Sequence, residues 1–321
     1  MRNIPAYVKI IAVIAALLLI TAMTVMIIIS NRDDPAVSPE THGEIVYDGA
    51  VYKPASYRIN VLFMGIDASG KAVPSGSYMN SGLSDFLCLL SFDIKTKECV
   101  AIHINRDTVT NVEMYGIGGA YLGKAPMQIA LSHQYGDGME SSCLNTAKAV
   151  SRLLKDITID YYVSLNMDAI PILNDLLGGV EVTVDDDFSS VDPDLEIGKT
   201  VTLTGKQAEE FVRGRKNIAD QTNLSRMNRQ RTYMRALYDK MIGSDLQFTD
   251  IYKELGDYIV TNCTTGVIEQ FSNQMNKYVL RDIVSIPGEA VIVNGLIEYH
   301  IDEEGLTKLV IDNLYTKDRS L

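Results

Sequence analysis

The sequence has no tryptophan, and aromatic residues make up only 7% of its 321 positions. Its four cysteines, Cys88, Cys99, Cys143 and Cys263, show no C-x-x-C spacing, which argues against a zinc site. Cys88 and Cys99 lie in apolar runs and read as buried free thiols, whereas a Cys143–Cys263 bridge stays open. The four histidines, His42, His103, His133 and His300, are scattered and read as structural or surface residues. A glycine-rich phosphate loop, a nucleophile elbow and an internal repeat are also missing. Positive charge is scarce, with 29 Lys and Arg against 41 Asp and Glu and a net charge of −12. That balance argues against general nucleic-acid binding, an option that a local basic cluster only partly reopens.

The scarce positive charge is concentrated. Between Arg213 and Arg235 stand Arg213, Arg215, Lys216, Arg226, Arg229, Arg231 and Arg235, with Asp220 as the only acid. Two guanidinium groups ~5 Å apart at an effective dielectric of ~20 repel by roughly 3 kcal/mol. Such a cluster either splays into water or receives an anion, and the planar guanidinium fork suits phosphate or pyrophosphate. The anion is the reading adopted here.

Ile10 to Ile29 carries no charge, long enough as a helix to span the ~30 Å hydrocarbon core of a bilayer. Arg2 and Lys9 precede it and Arg32, Asp33 and Asp34 follow, so the positive-inside rule puts the N-terminus in the cytoplasm. The competing reading is a cleavable signal peptide. The run is long for one and lacks a small-x-small cleavage site, so a retained single-pass anchor is expected. The chain then divides into a cytoplasmic N-terminus (1–9), a transmembrane helix (10–29), a linker (30–57), a main domain (58–245) and a C-terminal α/β portion (246–321) packed on or extending it.

Arg58 to Met64 reads as a strand ending at Gly65-Ile66-Asp67, and Ser69 to Gly82 as a loop. DFLCLLSFD from Asp85 suits a central strand covered on both faces, and Cys99 to Ile104 returns beside it. This hairpin places Asp85 and Arg106 at one open end. Helices capped by Ser141 or Ser142, by Asp168 and by Thr204 alternate with strands at Ile159–Leu165 and Val180–Val184, which points to an α/β layer sandwich. A helix capped by Ser225 gathers Met227, Met234, Leu237 and Met241 on one stripe and lines its border with Arg226, Arg229 and Gln230. Arg231 and Arg235 read as solvated charges.

At Asp85, Arg106-Asp107, Gly178-Gly179-Val180 and Arg213-x-Arg215…Arg226-x-x-Arg229-Gln230 the chain resembles the LytR–CpsA–Psr family, over roughly Ile59 to Met241. The resemblance implies a three-layer α/β sandwich, with a mixed central sheet between helices and a long apolar pocket for a polyprenyl tail. It implies a membrane-anchored, extracytoplasmic phosphotransferase that moves teichoic acid or capsular polysaccharide from undecaprenyl pyrophosphate to peptidoglycan. Carried over residue by residue, Asp67 and Asp85 match the magnesium-associated aspartates (manganese is the other candidate ion), and Arg106 matches the arginine of I-P-R-D. Arg213, Arg215, Arg226, Arg229 and Gln230 match the pyrophosphate-binding set. The chain departs at Asn105, where the family has proline, and at Leu83 and Gln128, where it has arginine and lysine.

The implied chemistry is attack by a sugar hydroxyl on the glycan-linked phosphorus, with undecaprenyl phosphate leaving. Asp85, Arg106 and Asp107 are the candidate catalytic residues, and either Asp107 or Asp85 could take the hydroxyl proton. Two other readings stand beside it: a non-catalytic binder of polyprenyl phosphate or cell-wall glycan, and a transcriptional regulator. An N-in anchor disfavours the regulator, because it holds the arginines away from DNA.

Overall fold

The computed structural model describes residues 43–318. The predicted cytoplasmic N-terminus (1–9), the apolar run 10–29 and the first part of the predicted linker lie outside them. Among the described residues, no helix is long and apolar enough to cross a membrane.

The stretch 43–57, read as linker, already pairs: β1 (Ile45–Tyr47) and β2 (Ala50–Pro54) form a hairpin. β3 (Arg58–Ile66), β4 (Ser84–Asp93) and β5 (Glu98–Ile104) follow, then a hairpin of β6 (Val109–Tyr115) and β7 (Tyr121–Gln128). The middle of the chain supplies helix α1 (Glu140–Leu153), β8 (Tyr161–Asn166), α2 (Ala169–Leu176), the ribbon β9 (Val180–Thr183) and β10 (Thr200–Leu203), α3 (Gly205–Arg213) and α4 (Asn223–Ile242). Next come α5 (Phe248–Leu255), β11 (Ile259–Thr261), α6 (Thr265–Gln274) and β12 (Val279–Ser285). The chain closes with the hairpin β13 (Gly288–Val293) and β14 (Leu296–Ile301), α7 (Glu303–Leu314) and β15 (Tyr315–Lys317), which pairs with β2.

The core is a six-stranded mixed sheet in the order β11-β8-β3-β4-β5-β12, parallel at β8/β3 and β5/β12 and antiparallel elsewhere. Both edge strands come from the C-terminal stretch. Strand alternation sends Leu62, Met64, Leu87, Leu89 and Ile102 to one face, where they pack against Ala147 and Val150 of α1 and Leu306 and Val310 of α7. Val61, Phe63, Cys88 and Leu90 point the other way, toward Met234 of α4 and Phe271 of α6. Helices thus cover both faces, which is why β4 is apolar almost throughout.

Several local expectations are corrected. α1 starts at Glu140, so Ser141 and Ser142 are not its caps; their hydroxyls accept from the backbone N–H groups of Asp137 and Gly138. α4 starts at Asn223, capped by Thr222 rather than Ser225, which draws Asn223 into the buried first turn. All four cysteines are free thiols. Arg231 and Arg235 are not merely solvated: they donate to Ser285 Oγ and to the carbonyls of Leu280 and Arg281, tying α4 to β12. At Gly179 (φ +88°) a Cβ would lie 2.5 Å from Thr202 Cγ2, so the turn after α2 admits only glycine.

Candidate functional site

Antiparallel pairing of β4 with β5, in register Leu87↔Ile104, brings Asp85 and Arg106 together beyond one end of the sheet. Arg106 Nη1 donates to Asp85 Oδ1, and Arg226 Nη1 lies 3.5 Å from Asp85 Oδ2. Guanidinium groups 120 residues apart in sequence therefore share one carboxylate. Arg226 is buried, and burial first lowers its pKa to about 10, with the nearby Arg215 and Arg106 charges adding to the fall and Asp85 opposing it. The Nε atom of Arg226 is buried without a hydrogen-bond acceptor, whereas that of Arg106 faces Asp107 Oδ1 at 3.3 Å. A buried donor is ordinarily satisfied, and the Arg226 Nε is an exception.

The second half of the basic cluster divides. Arg213, at the end of α3, bonds Glu209 and approaches Asp67 Oδ1 at 3.5 Å. Arg215 and Lys216 are exposed and line the same cavity mouth. Arg229, expected among the pyrophosphate ligands, is instead 1% exposed and consumed internally. It donates to the carbonyls of Phe211 and Gly214 and pairs with Asp186, so it shapes the turn that presents Arg213 and Arg215. Gln230 likewise donates to Val212 O, although its side chain also borders the cavity. Helical periodicity located the border of the stripe, but it could not say which border residues the α3–α4 turn would claim.

Asp107 sits in a polar cage. Its Oδ1 accepts from Gln128 Nε2 (3.3 Å) and lies 3.3 Å from Arg106 Nε, while its Oδ2 accepts from Asn223 Nδ2 (3.1 Å). Burial raises its pKa, against the lowering influence of Arg106, Arg226 and Arg215. Asn105, at the family's proline position, accepts from the Asp107 N–H and from Asn223 Nδ2. Gln128, at the family's lysine position, also donates to Ile297 O of β14 (2.6 Å). Asn223 was missed because its role arises only from meeting residues 105 and 107 across the fold.

Behind the charged rim lies a cavity of about 830 Å³. Val61, Phe63, Cys88 and Leu90 of the sheet form its floor, with Leu173, Met234, Leu237 and Phe271 among its walls and Asp67, Asp85, Arg213, Arg215 and Arg226 at its mouth. Asp67 is exposed and Asp85 half-buried. Among the described residues, no group of three or more His, Cys, Asp or Glu could hold a metal. Two carboxylates are nevertheless the hard-oxygen donor set with which magnesium binds when phosphate and water complete its shell, so these residues fit that ion.

The LytR_cpsA_psr family matches residues 32–312. The TagU polyisoprenyl-teichoic acid–peptidoglycan teichoic acid transferase of Bacillus licheniformis is 26% identical over 260 residues, 79% of this chain and 76% of that protein. TagT of Bacillus subtilis, with the same transferase name, is 29% identical over 276 residues, 81% of this chain and 79% of that one. Among solved structures, TagT bound to LIIa-WTA superposes with a TM-score of 0.61 at 24% identity, covering 87% of this chain and 99% of that one. Bacillus subtilis TagV gives 0.62 at 22%, covering 81% and 98%.

Proposed function

Because this chain belongs to the LytR–CpsA–Psr family, we propose that it transfers a glycopolymer of the teichoic acid or capsular polysaccharide type from an undecaprenyl pyrophosphate carrier to peptidoglycan. The observation that carries the proposal is one continuous site with two chemistries. An apolar cavity of about 830 Å³ opens onto Asp85, Arg213, Arg215 and Arg226, with Arg106 paired to Asp85 at its edge, matching an apolar tail joined to a multiply charged head.

In this reading Arg106 and Arg226 neutralise the oxygens of the pyrophosphate, and Arg213 and Arg215 close over it from the α3–α4 turn. Asp67 and Asp85 would hold magnesium, or manganese, which when bound offsets phosphoryl charge. The acceptor hydroxyl oxygen forms a bond to the glycan-linked phosphorus while the bond from that phosphorus to the bridging oxygen breaks. Undecaprenyl phosphate departs with that oxygen. The hydroxyl proton passes to Asp107, which faces one guanidinium and otherwise the neutral amides of Gln128 and Asn223, whereas Asp85 is shared by two guanidinium groups. Positioning and fixed positive charge supply most of the rate.

The test is incubation of the full chain with a labelled lipid-linked glycan, Mg²⁺ and peptidoglycan. Release of polyprenyl phosphate with label on the wall is the expected result. Binding without release would favour the second reading, a non-catalytic binder, which draws support from Leu83 and from Gln128, a neutral amide already engaged by Ile297 O and Asp107. In this proposal the chain is held at the cell membrane by residues 10–29, N-terminus inside, with its main domain outside facing peptidoglycan and away from nucleic acid.

A further inference from the structure

We propose that Asn223 is a positioning residue that sets the proton-accepting carboxylate and the phosphate-holding guanidinium relative to each other; this deepens the reading above and rests on it. Asn223 is 6% exposed, and its three contacts use all its amide groups. Nδ2 donates to Asn105 Oδ1 (2.8 Å) and to Asp107 Oδ2 (3.1 Å), while Oδ1 accepts from Arg226 Nη2 (2.6 Å). One side chain therefore touches the two segments that must cooperate, the turn after β5 and the first turn of α4.

An amide has two faces, one donating and one accepting, and this site needs both. The donating face stabilises Asp107 as a carboxylate, the form that can take a proton. The accepting face holds Arg226 without adding a charge that would compete with phosphate for it. The charged groups around Asp107 are Arg106 beside it, Arg226 from α4, Arg215 from the α3–α4 turn and Asp85 from β4. β7 contributes the neutral Gln128, and β14 contributes the Tyr299 N–H, which donates to the Asp107 carbonyl.

The decisive variant is Asn223→Asp, which keeps the shape and replaces the donor with a second carboxylate. An acid in the first turn complements the helix dipole, so α4 still forms. The new carboxylate pairs with Arg226 and keeps its charge, so Asp107 is the group forced to hold its proton. Two readouts follow on the full chain. The carboxyl ¹³C resonance of Asp107, identified by its disappearance in Asp107→Asn, should titrate at least about one pH unit higher in N223D than in the native protein. The acid limb of the pH dependence of kcat for polyprenyl phosphate release should move by the same amount, with KM for the lipid-linked glycan changing less. An Asp107 titration unchanged in N223D overturns the proposal. Native protein that releases no polyprenyl phosphate refutes the transferase reading instead, and the titration still decides the role of Asn223.

Discussion

At the scale of single residues, the arginines fall into two groups that simple substitutions separate. Arg106→Ala and Arg226→Ala each remove a charged contact, and geranylgeranyl pyrophosphate should bind more weakly by ~1.5–3 kcal/mol in calorimetry. Arg229→Ala behaves differently, because it strands Asp186 and two carbonyls that Arg229 now satisfies. It should cost about 3 kcal/mol or more of stability, read as a lowered urea midpoint. Equal effects of the three substitutions on both measurements would contradict this division. The buried histidines give a pH dependence of folding. Burial, with the Arg231 and Arg226 charges, lowers His103 to about 3, and burial lowers His133 to about 4. The unfolded chain takes up these protons near pH 6.5 and the folded chain does not. Their stabilisation is therefore complete above about pH 6.5 and is lost as pH falls toward the folded values, by up to ~2 kcal/mol per histidine at pH 5. Urea midpoints at pH 7.5 and pH 5 check this, and an equal midpoint at both would count against it.

At the scale of elements, the cavity lies between the β3–β4 face and helices α2, α4, α5 and α6, whose side chains line it. Leu173→Trp on α2 puts a large ring into that space. It should weaken geranylgeranyl pyrophosphate binding at least about tenfold while leaving inorganic pyrophosphate unaffected, since only the former buries apolar surface. With no native tryptophan, the new indole also reports the ligand by fluorescence. Loss of affinity for both ligands alike would place the tail elsewhere. α3 delivers Arg213 from a turn fixed by its own capping box, in which Thr204 accepts from the Gln207 N–H and Gln207 Oε1 accepts from the Thr204 N–H. Thr204→Ala should cost about 1 kcal/mol, seen in thermal melts.

At the scale of the whole molecule, the two ends of the described chain close on each other. β15 pairs with β2, and the Tyr315 hydroxyl donates to Lys155 O. Truncation after Leu314 removes a buried tyrosine and one strand of a three-stranded sheet, which should cost about 2–3 kcal/mol and lower Tm by several degrees. The C-terminal stretch is also integral to the active face. β12 completes the sheet beside β5, and β14 meets the Asp107 segment through the Tyr299 N–H and Gln128. A reporter fused after Leu321 addresses the remaining question of sidedness. Activity only outside the cytoplasm is expected from the charge pattern around residues 10–29.

The sequence by itself determined the sheet centre, because a strand buried on both faces must be apolar throughout, as β4 is. It also determined the meeting of Asp85 with Arg106, since a short turn forces the ends of a hairpin together. Local patterns carry that information within a few residues. They could not carry the pairing of residues 45–54 with the C-terminal strand, the burial of Arg229 beneath the α3–α4 turn, or the bond from Asn223 to Asp107. Each of these joins residues whose separation in sequence gives no periodicity to read. The tertiary structure alone decided which arginines face the cavity and which hold the chain that surrounds it, because a buried guanidinium bonds whatever carbonyls and carboxylates the fold places within its reach.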